Sequence, residues 1–289
     1  MDRQLQDQLL RDQPLRVGFV NAGGVNTRYL HAGSGPVLVL LHGVGMSADT
    51  WFRNIPHLAR SHRVIALDML NHGFTDLAPY EGCAPQQKIT QHILDCMDAL
   101  GVDRFSVAGS SFGGQLAALV YFAAPPRIEN LVIIGSGTSF NPEAEFAASL
   151  ARVLQTALQA YDDPTWESCR KRMESVVYTP SSVPDELLLS QLTSYARPGM
   201  AEAYKATLAG MMDLDLVRPF RLLERLEQLR ARTLIVWGRQ DIRGAVERAL
   251  AASQVIPDCA IEVLEECGHF PHLEHPQRFN QIVADFLNG

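Results

Sequence analysis

Short apolar runs punctuated by turns dominate the first half of the chain. Residues 36–41, 63–68, 105–109 and 131–135 are of this kind, and two more such runs, 233–238 and 261–264, follow toward the C-terminus. Runs this short and this continuous in apolar residues are the mark of strands buried on both faces. Ahead of them, 17–21 and 27–31 flank Ala22-Gly23-Gly24, a turn signal that predicts an antiparallel hairpin at a sheet edge. Between the runs the period changes to that of a helix, over 87–100 and 114–123. A last helix is predicted over 278–287, where Phe279, Ile282, Val283 and Phe286 share one stripe and Pro276 suits the first turn. Strands alternating with helices predict right-handed crossovers and a mostly parallel central sheet flanked by helices, an α/β fold.

One interval breaks the alternation. From 139 to 228 the pattern is helical, with turns at Pro164, Pro180, Pro184 and Pro198 and no convincing strand. A segment that leaves the sheet after one strand and returns at the next is expected over the carboxyl edge, where open α/β sheets place ligands, so it reads as a lid. The predicted organisation is an N-terminal extension (1–14), a core made of 15–138 and 229–289, and an inserted helical lid (139–228). The first 13 residues alternate polar and apolar positions too often for the apolar centre of a signal peptide, and read as a surface helix or a disordered tail.

Length and charge narrow the function classes. At 289 residues the chain can bury a sizeable core. A net charge of −7 leaves no basic excess to neutralise phosphates, which argues against nucleic acid as a partner. No stretch reaches the ~18 apolar residues that cross a bilayer, so no membrane partner is expected. The five cysteines, Cys83, Cys96, Cys169, Cys259 and Cys267, are odd in number and scattered, and read as reduced thiols of a soluble cytoplasmic protein. Nothing implies a metal or an organic cofactor, and the oligomeric state stays open, a homodimer included.

Candidate chemistry starts at Gly109-Ser110-Ser111-Phe112-Gly113, a G-x-S-x-G that directly follows one predicted strand and directly precedes a predicted helix. By itself the motif also fits a serine capping a helix; the flanks point to a strand-to-helix turn that holds Ser111 exposed as a nucleophile. Moving the frame to Ser110 puts Ala108 and Phe112 where glycine is needed. A serine hydroxyl needs a base, and His269, in a loop just past the last strand, is the histidine placed to be one. His272 and His275 follow at three-residue spacing with no acidic or thiol cluster for a metal site, and read as surface or capping residues. The imidazole needs a carboxylate to orient it. Asp241, just past the strand that ends at Gly238, fits, with Asp213, Asp215 and Glu143 as other acids considered. The glycines of His42-Gly43-Val44-Gly45 free backbone N–H groups to turn toward the site; that of Val44, paired with that of Phe112, would form an oxyanion hole, with His42 hydrogen-bonded to the turn backbone.

These residues together resemble the α/β-hydrolase superfamily, from about Val17 to Leu287. The resemblance rests on 42–45, on Asp68 to Thr75, on the Ser111 turn, on 237–241 and on 268–276. Asn71 departs from the more usual glycine, and Ile242 and Arg243 lack the proline often found after the acid. Within the superfamily the chain is similar to lidded serine esterases and to the carbon–carbon bond hydrolases that cleave meta-cleavage products. The latter resemblance implies Asn and Met around the nucleophile and a lid arginine on the substrate; here Ser110 and Phe112 flank it, Gln191 stands where that arginine is sought, and Arg197 is the substitute considered. The reading is hydrolysis of a carboxylic ester through an acyl-enzyme on a small-molecule substrate. The alternatives are carbon–carbon hydrolysis of a vinylogous diketone and, from another class, a low-turnover ligand receptor on the same fold. Met46, Trp51, Phe140, Phe146, Met211, Met212 and Phe270 are the expected apolar pocket.

Overall fold

In the computed structural model, residues 14–143, 145 and 158–289 are described. The expectation for residues 1–13 and the pocket expectation for Phe146 lie outside them.

The predicted hairpin forms β1 (Arg16–Ala22) and β2 (Val25–Ala32). Ala22 pairs with Val25 across Gly23 and Gly24, both at positive φ, the two-residue turn whose twist matches its strands. The buried runs become β3 (Val37–Leu41), β4 (Arg63–Leu67), β5 (Phe105–Ser110), β6 (Ile128–Ile134), β7 (Arg232–Gly238) and β8 (Cys259–Leu264). They assemble in the order β1-β2-β4-β3-β5-β6-β7-β8, parallel except for β1 and β2.

Period-two alternation sends successive strand residues to opposite faces, so each parallel strand feeds two apolar layers. Val39, Leu41, Ile65, Leu67, Val107 and Ile133 join one layer, covered by α1 (Pro85–Ala99) and α2 (Phe112–Ala123). Leu38, Leu40, Val64, Ala66, Ala108 and Val132 join the other. That second face is closed by the predicted stripe Phe279, Ile282, Val283 and Phe286, each at most 8% exposed. Every such side chain buried stabilises by roughly 1.5–3 kcal/mol.

Between β6 and β7 the described residues hold three helices of more than two turns, α3 (Trp166–Glu174), α4 (Asp185–Tyr195) and α5 (Met200–Met212), and no strand. Inward side chains of the segment, among them Tyr161, Met173, Leu188, Tyr195 and Tyr204, form a third apolar cluster with Met46, Phe270 and Leu273, which belong to the connections at the carboxyl edge of the sheet. The described helices of this segment therefore pack on that edge. Two more helices, α6 (Val246–Val255) and α7 (Pro276–Asn288), complete the chain.

Candidate active site

β3 and β5 are spatial neighbours although the chain visits β4 between them, so the connections leave in opposite directions there and open a crevice at the carboxyl ends. Residues 42–46 follow β3 and Ser111 follows β5, one on each side of it.

Ser111 sits at φ 55°, ψ −119°, a conformation that costs a non-glycine residue about 1–3 kcal/mol. The surroundings hold it: its N–H donates to Ile134 O (2.7 Å), and its carbonyl accepts from Ser136 Oγ (2.7 Å) and from the N–H groups of Gly114 and Gln115. The glycines are required because backbones cross here. A Cβ on Gly109 would lie 2.0 Å from Gly113 O, and one on Gly113 would lie 2.4 Å from Leu41 O.

His269 Nε2 lies 3.0 Å from Ser111 Oγ, and His269 Nδ1 lies 2.9 and 3.1 Å from the Asp241 oxygens. The Asp241 side chain is fully buried and that of His269 is 7% exposed. A carboxylate only accepts, so Nδ1 carries the proton and Nε2 is left to accept from the serine hydroxyl. Asp241 is held in turn by the Arg243 N–H (2.7 Å). The other acids are elsewhere: Glu143 and Asp215 pair with Arg218 on the surface, and Asp213 caps a short helical turn.

Beside the serine, the position of a Gly43 Cβ is 3.8 Å from Ser111 Oγ, so the loop runs close past it. His42 is completely buried and burial lowers its pKa to about 3, so the ring is neutral. Its Nε2 accepts from the Met69 N–H (3.1 Å), which leaves Nδ1–H to donate to Gly43 O (2.8 Å); the Met46 N–H donates to the same oxygen. In a trans peptide the C=O and N–H point opposite ways, so anchoring Gly43 O on this side directs the Val44 N–H to the other. Phe112 is the first residue of α2, where an N–H has no intrahelical acceptor and the positive end of the helix dipole favours an anion. Asn71 takes φ 64°, the conformation glycine adopts freely, and its side chain exchanges two hydrogen bonds with the backbone of Ala78 (2.8 and 2.9 Å).

The loop carrying His269 is built around Glu274. Its carboxylate accepts from the N–H groups of Gly268 (2.9 Å), Phe270 (3.0 Å) and Tyr178 (2.7 Å).

Met46 and Phe270 belong to the cluster facing the helical segment, next to these groups. Trp51 is a correction. It is sealed against His272 and Phe279 in the α7 layer at 0% exposure, because the turn after residue 47 carries it down the flank of the sheet. Phe140 stacks on Trp237 and Met211 packs in the α1–α2 layer, so both are core side chains, while Met212 is 40% exposed. His272 is also corrected from a surface reading: it is fully buried, with Nε2 3.1 Å from Thr50 Oγ1.

Gln191 is buried, its Nε2 3.1 Å from the sulfurs of Met46 and Met173. Arg197 is half-buried and donates to the carbonyls of Gly73 and Thr75. One cation beside the site is a residue that sequence reasoning missed. Arg172, buried, donates from Nη2 to Val44 O (3.1 Å) and from Nη1 to Gly45 O (3.2 Å) and to the Tyr195 hydroxyl. The available signal was an arginine sharing the buried side of α3 with Cys169 and Met173.

A family model described as the alpha/beta hydrolase family matches residues 38–282. A 2-hydroxy-6-oxo-2,4-heptadienoate hydrolase of Pseudomonas putida is 33% identical over 277 residues, 93% of this chain and 95% of the relative. A 2-hydroxymuconate semialdehyde hydrolase of Pseudomonas putida is 30% identical over 278 residues, 92% of each chain. Among solved structures, a meta-cleavage product hydrolase from Pseudomonas fluorescens superposes with a TM-score of 0.78 at 29% identity, covering 94% of this chain and 98% of that one. Among the described residues no helix is long and apolar enough to cross a membrane.

Proposed function

Since the chain belongs to the alpha/beta hydrolase family, we propose that it is a serine hydrolase that cleaves a carbon–carbon bond in a vinylogous diketone acid of the 2-hydroxy-6-oxo-2,4-dienoate class. The observation that carries the substrate class is the 33% identity, over nearly the full length of both chains, to a hydrolase of such a compound. It favours this reading over the carboxylic ester expected first.

Chemistry sets the order of steps. A carbon leaves with its bonding electrons only if they delocalise, so the dienol first tautomerises to the diketone, its 2-hydroxyl giving up a proton and carbon 5 gaining one. Ser111 Oγ then adds to the keto carbon at position 6 while His269 Nε2 accepts its proton, as the 3.0 Å contact allows. The oxyanion is met by the N–H groups of Val44 and Phe112, preorganised donors of the kind whose loss costs about 10²–10³ in rate. The bond between carbons 5 and 6 breaks, its electrons entering the conjugated enone, and His269 returns the proton. Water activated by the same imidazole releases the acid from Ser111. Asp241 holds the tautomer throughout.

One observation keeps the ester as a second reading: Gln191, where a substrate-binding arginine is sought, carries no charge. Measuring kcat/KM for 2-hydroxy-6-oxo-2,4-heptadienoate and for p-nitrophenyl butyrate separates the two. The dienoate is expected to be preferred by at least about tenfold. A reversed preference overturns the carbon–carbon assignment, and stoichiometric acylation without turnover points to a receptor.

A further inference from the structure

Arg172 is the charge that neither the triad geometry nor the substrate comparison accounts for. It is buried, and its hydrogen-bond partners among the described residues are two carbonyls, a methionine sulfur and a hydroxyl, none of them a carboxylate. A charge kept in the interior without a counter-ion is costly, so the groups it hydrogen-bonds must repay its desolvation. Its carbonyl acceptors are those of Val44 and Gly45, the loop that carries the Val44 N–H. The Tyr195 hydroxyl adds a third hold by donating to Gly45 O (2.6 Å). Gly45, at φ 69°, is pressed against this group so closely that a Cβ would lie 2.6 Å from Arg172 Nη2 and 2.8 Å from Tyr204 Cε2. Behind it Tyr161 stacks between Tyr195 and Tyr204, with centroids 3.9 and 3.7 Å apart.

The residues that follow reach the other half of the site. Val176 O accepts from the His269 N–H (2.9 Å), and the Tyr178 N–H donates to Glu274 (2.7 Å). Gly268 admits this approach, since a Cβ there would lie 2.6 Å from Tyr178 N and 2.9 Å from Val176 O.

We propose that Arg172 is a positioning residue for the oxyanion loop, and that residues 172–178 form a brace through which the helical segment sets the geometry of the Val44 N–H and of His269 together. Any motion of that segment that breaks these bonds then loosens base and oxyanion donor at once. The inference rests on the Ser111, His269 and Val44 assignments of the preceding subsection, not on the bond cleaved.

The test uses Arg172→Met and Arg172→Lys in the full chain, with p-nitrophenyl butyrate and the dienoate as substrates and a trifluoromethyl ketone as oxyanion-forming inhibitor. Expected for Arg172→Met is a fall in kcat of about 10–100-fold with KM within about threefold, since small misplacements of a reacting geometry cost this much. The inhibition constant of the ketone should rise by about the same factor as kcat falls, and Arg172→Lys should recover part of both. Unchanged kcat in a folded variant overturns the proposal, as does a rise in KM alone, which would mean that Arg172 holds substrate. Should Arg172→Met fail to fold, Arg172→Lys carries the test with the same readouts and a loss of about threefold to tenfold. A wild-type protein active on the ester and inert on the dienoate would overturn the substrate reading and leave this test intact.

Discussion

Replacing Glu274 by Gln tests how the base is held. The carboxylate accepts three backbone N–H groups, two at Oε2 from Gly268 and Tyr178 and one at Oε1 from Phe270. The amide keeps one oxygen, which can serve the first pair, and turns its NH2 toward the Phe270 N–H, donor against donor. One charge-assisted bond is lost outright, about 1.5–3 kcal/mol, and the other two weaken on losing the charge. Glu274 is half-buried, and solvent screening brings the sum to about 2 kcal/mol. For a chain of this size that lowers Tm by roughly 5 °C. His269 lies between Gly268, whose bond weakens, and Phe270, whose bond is lost, so kcat should also fall about 10–100-fold. Differential scanning calorimetry and steady-state kinetics read the two effects. A Glu274→Gln protein that melts within about 1 °C of wild type and keeps kcat within about twofold would refute the cradle.

Asp241→Asn should leave the fold intact and reduce kcat by about 10⁴, because an amide facing Nδ1 favours the wrong tautomer; a loss under about tenfold, with Tm unchanged, would remove Asp241 from the mechanism. Stability should fall in acid. Burial lowers the pKa of His42, His72 and His272 to about 3, 4 and 3, from 6.5. Each is neutral when folded and gains a proton when unfolded below 6.5, so the unfolded state binds more protons from about pH 6.5 down to about pH 4. Stability is therefore lost across that window, by about 1.4 kcal/mol per pH unit for each histidine. Urea midpoints at pH 7.5 and 5.5 measure this, and equal midpoints would contradict it.

The strands were legible because burial on both faces favours apolar runs, and β3, β4, β5 and β7 carry no charged residue past their first position. The start of β6 was missed by three residues: Glu129 and Asn130 are polar at its entry, where the strand meets solvent. Ser111, Asp241 and His269 could be singled out because each lies in the connection that follows a strand end, and parallel strands bring such ends to one edge. Arg172 could not. Its partners, Val44 and Gly45, lie more than 120 residues away, and a charged residue on a short helix reads as solvated unless its neighbours are known. Trp51 and His272 fail for one reason: they pack on each other across 221 residues, and neither local pattern reveals the layer they share.

The central claim is that Ser111 serves the cleavage of a carbon–carbon bond. The direct measurement is to incubate wild type and Ser111→Ala with 2-hydroxy-6-oxo-2,4-heptadienoate and identify products by NMR. The account predicts acetate and 2-hydroxypenta-2,4-dienoate in equal amounts from wild type, and turnover reduced by at least about 10³-fold in the folded variant. An unchanged rate in Ser111→Ala, or a wild-type protein that leaves the dienoate intact while hydrolysing esters, would contradict it.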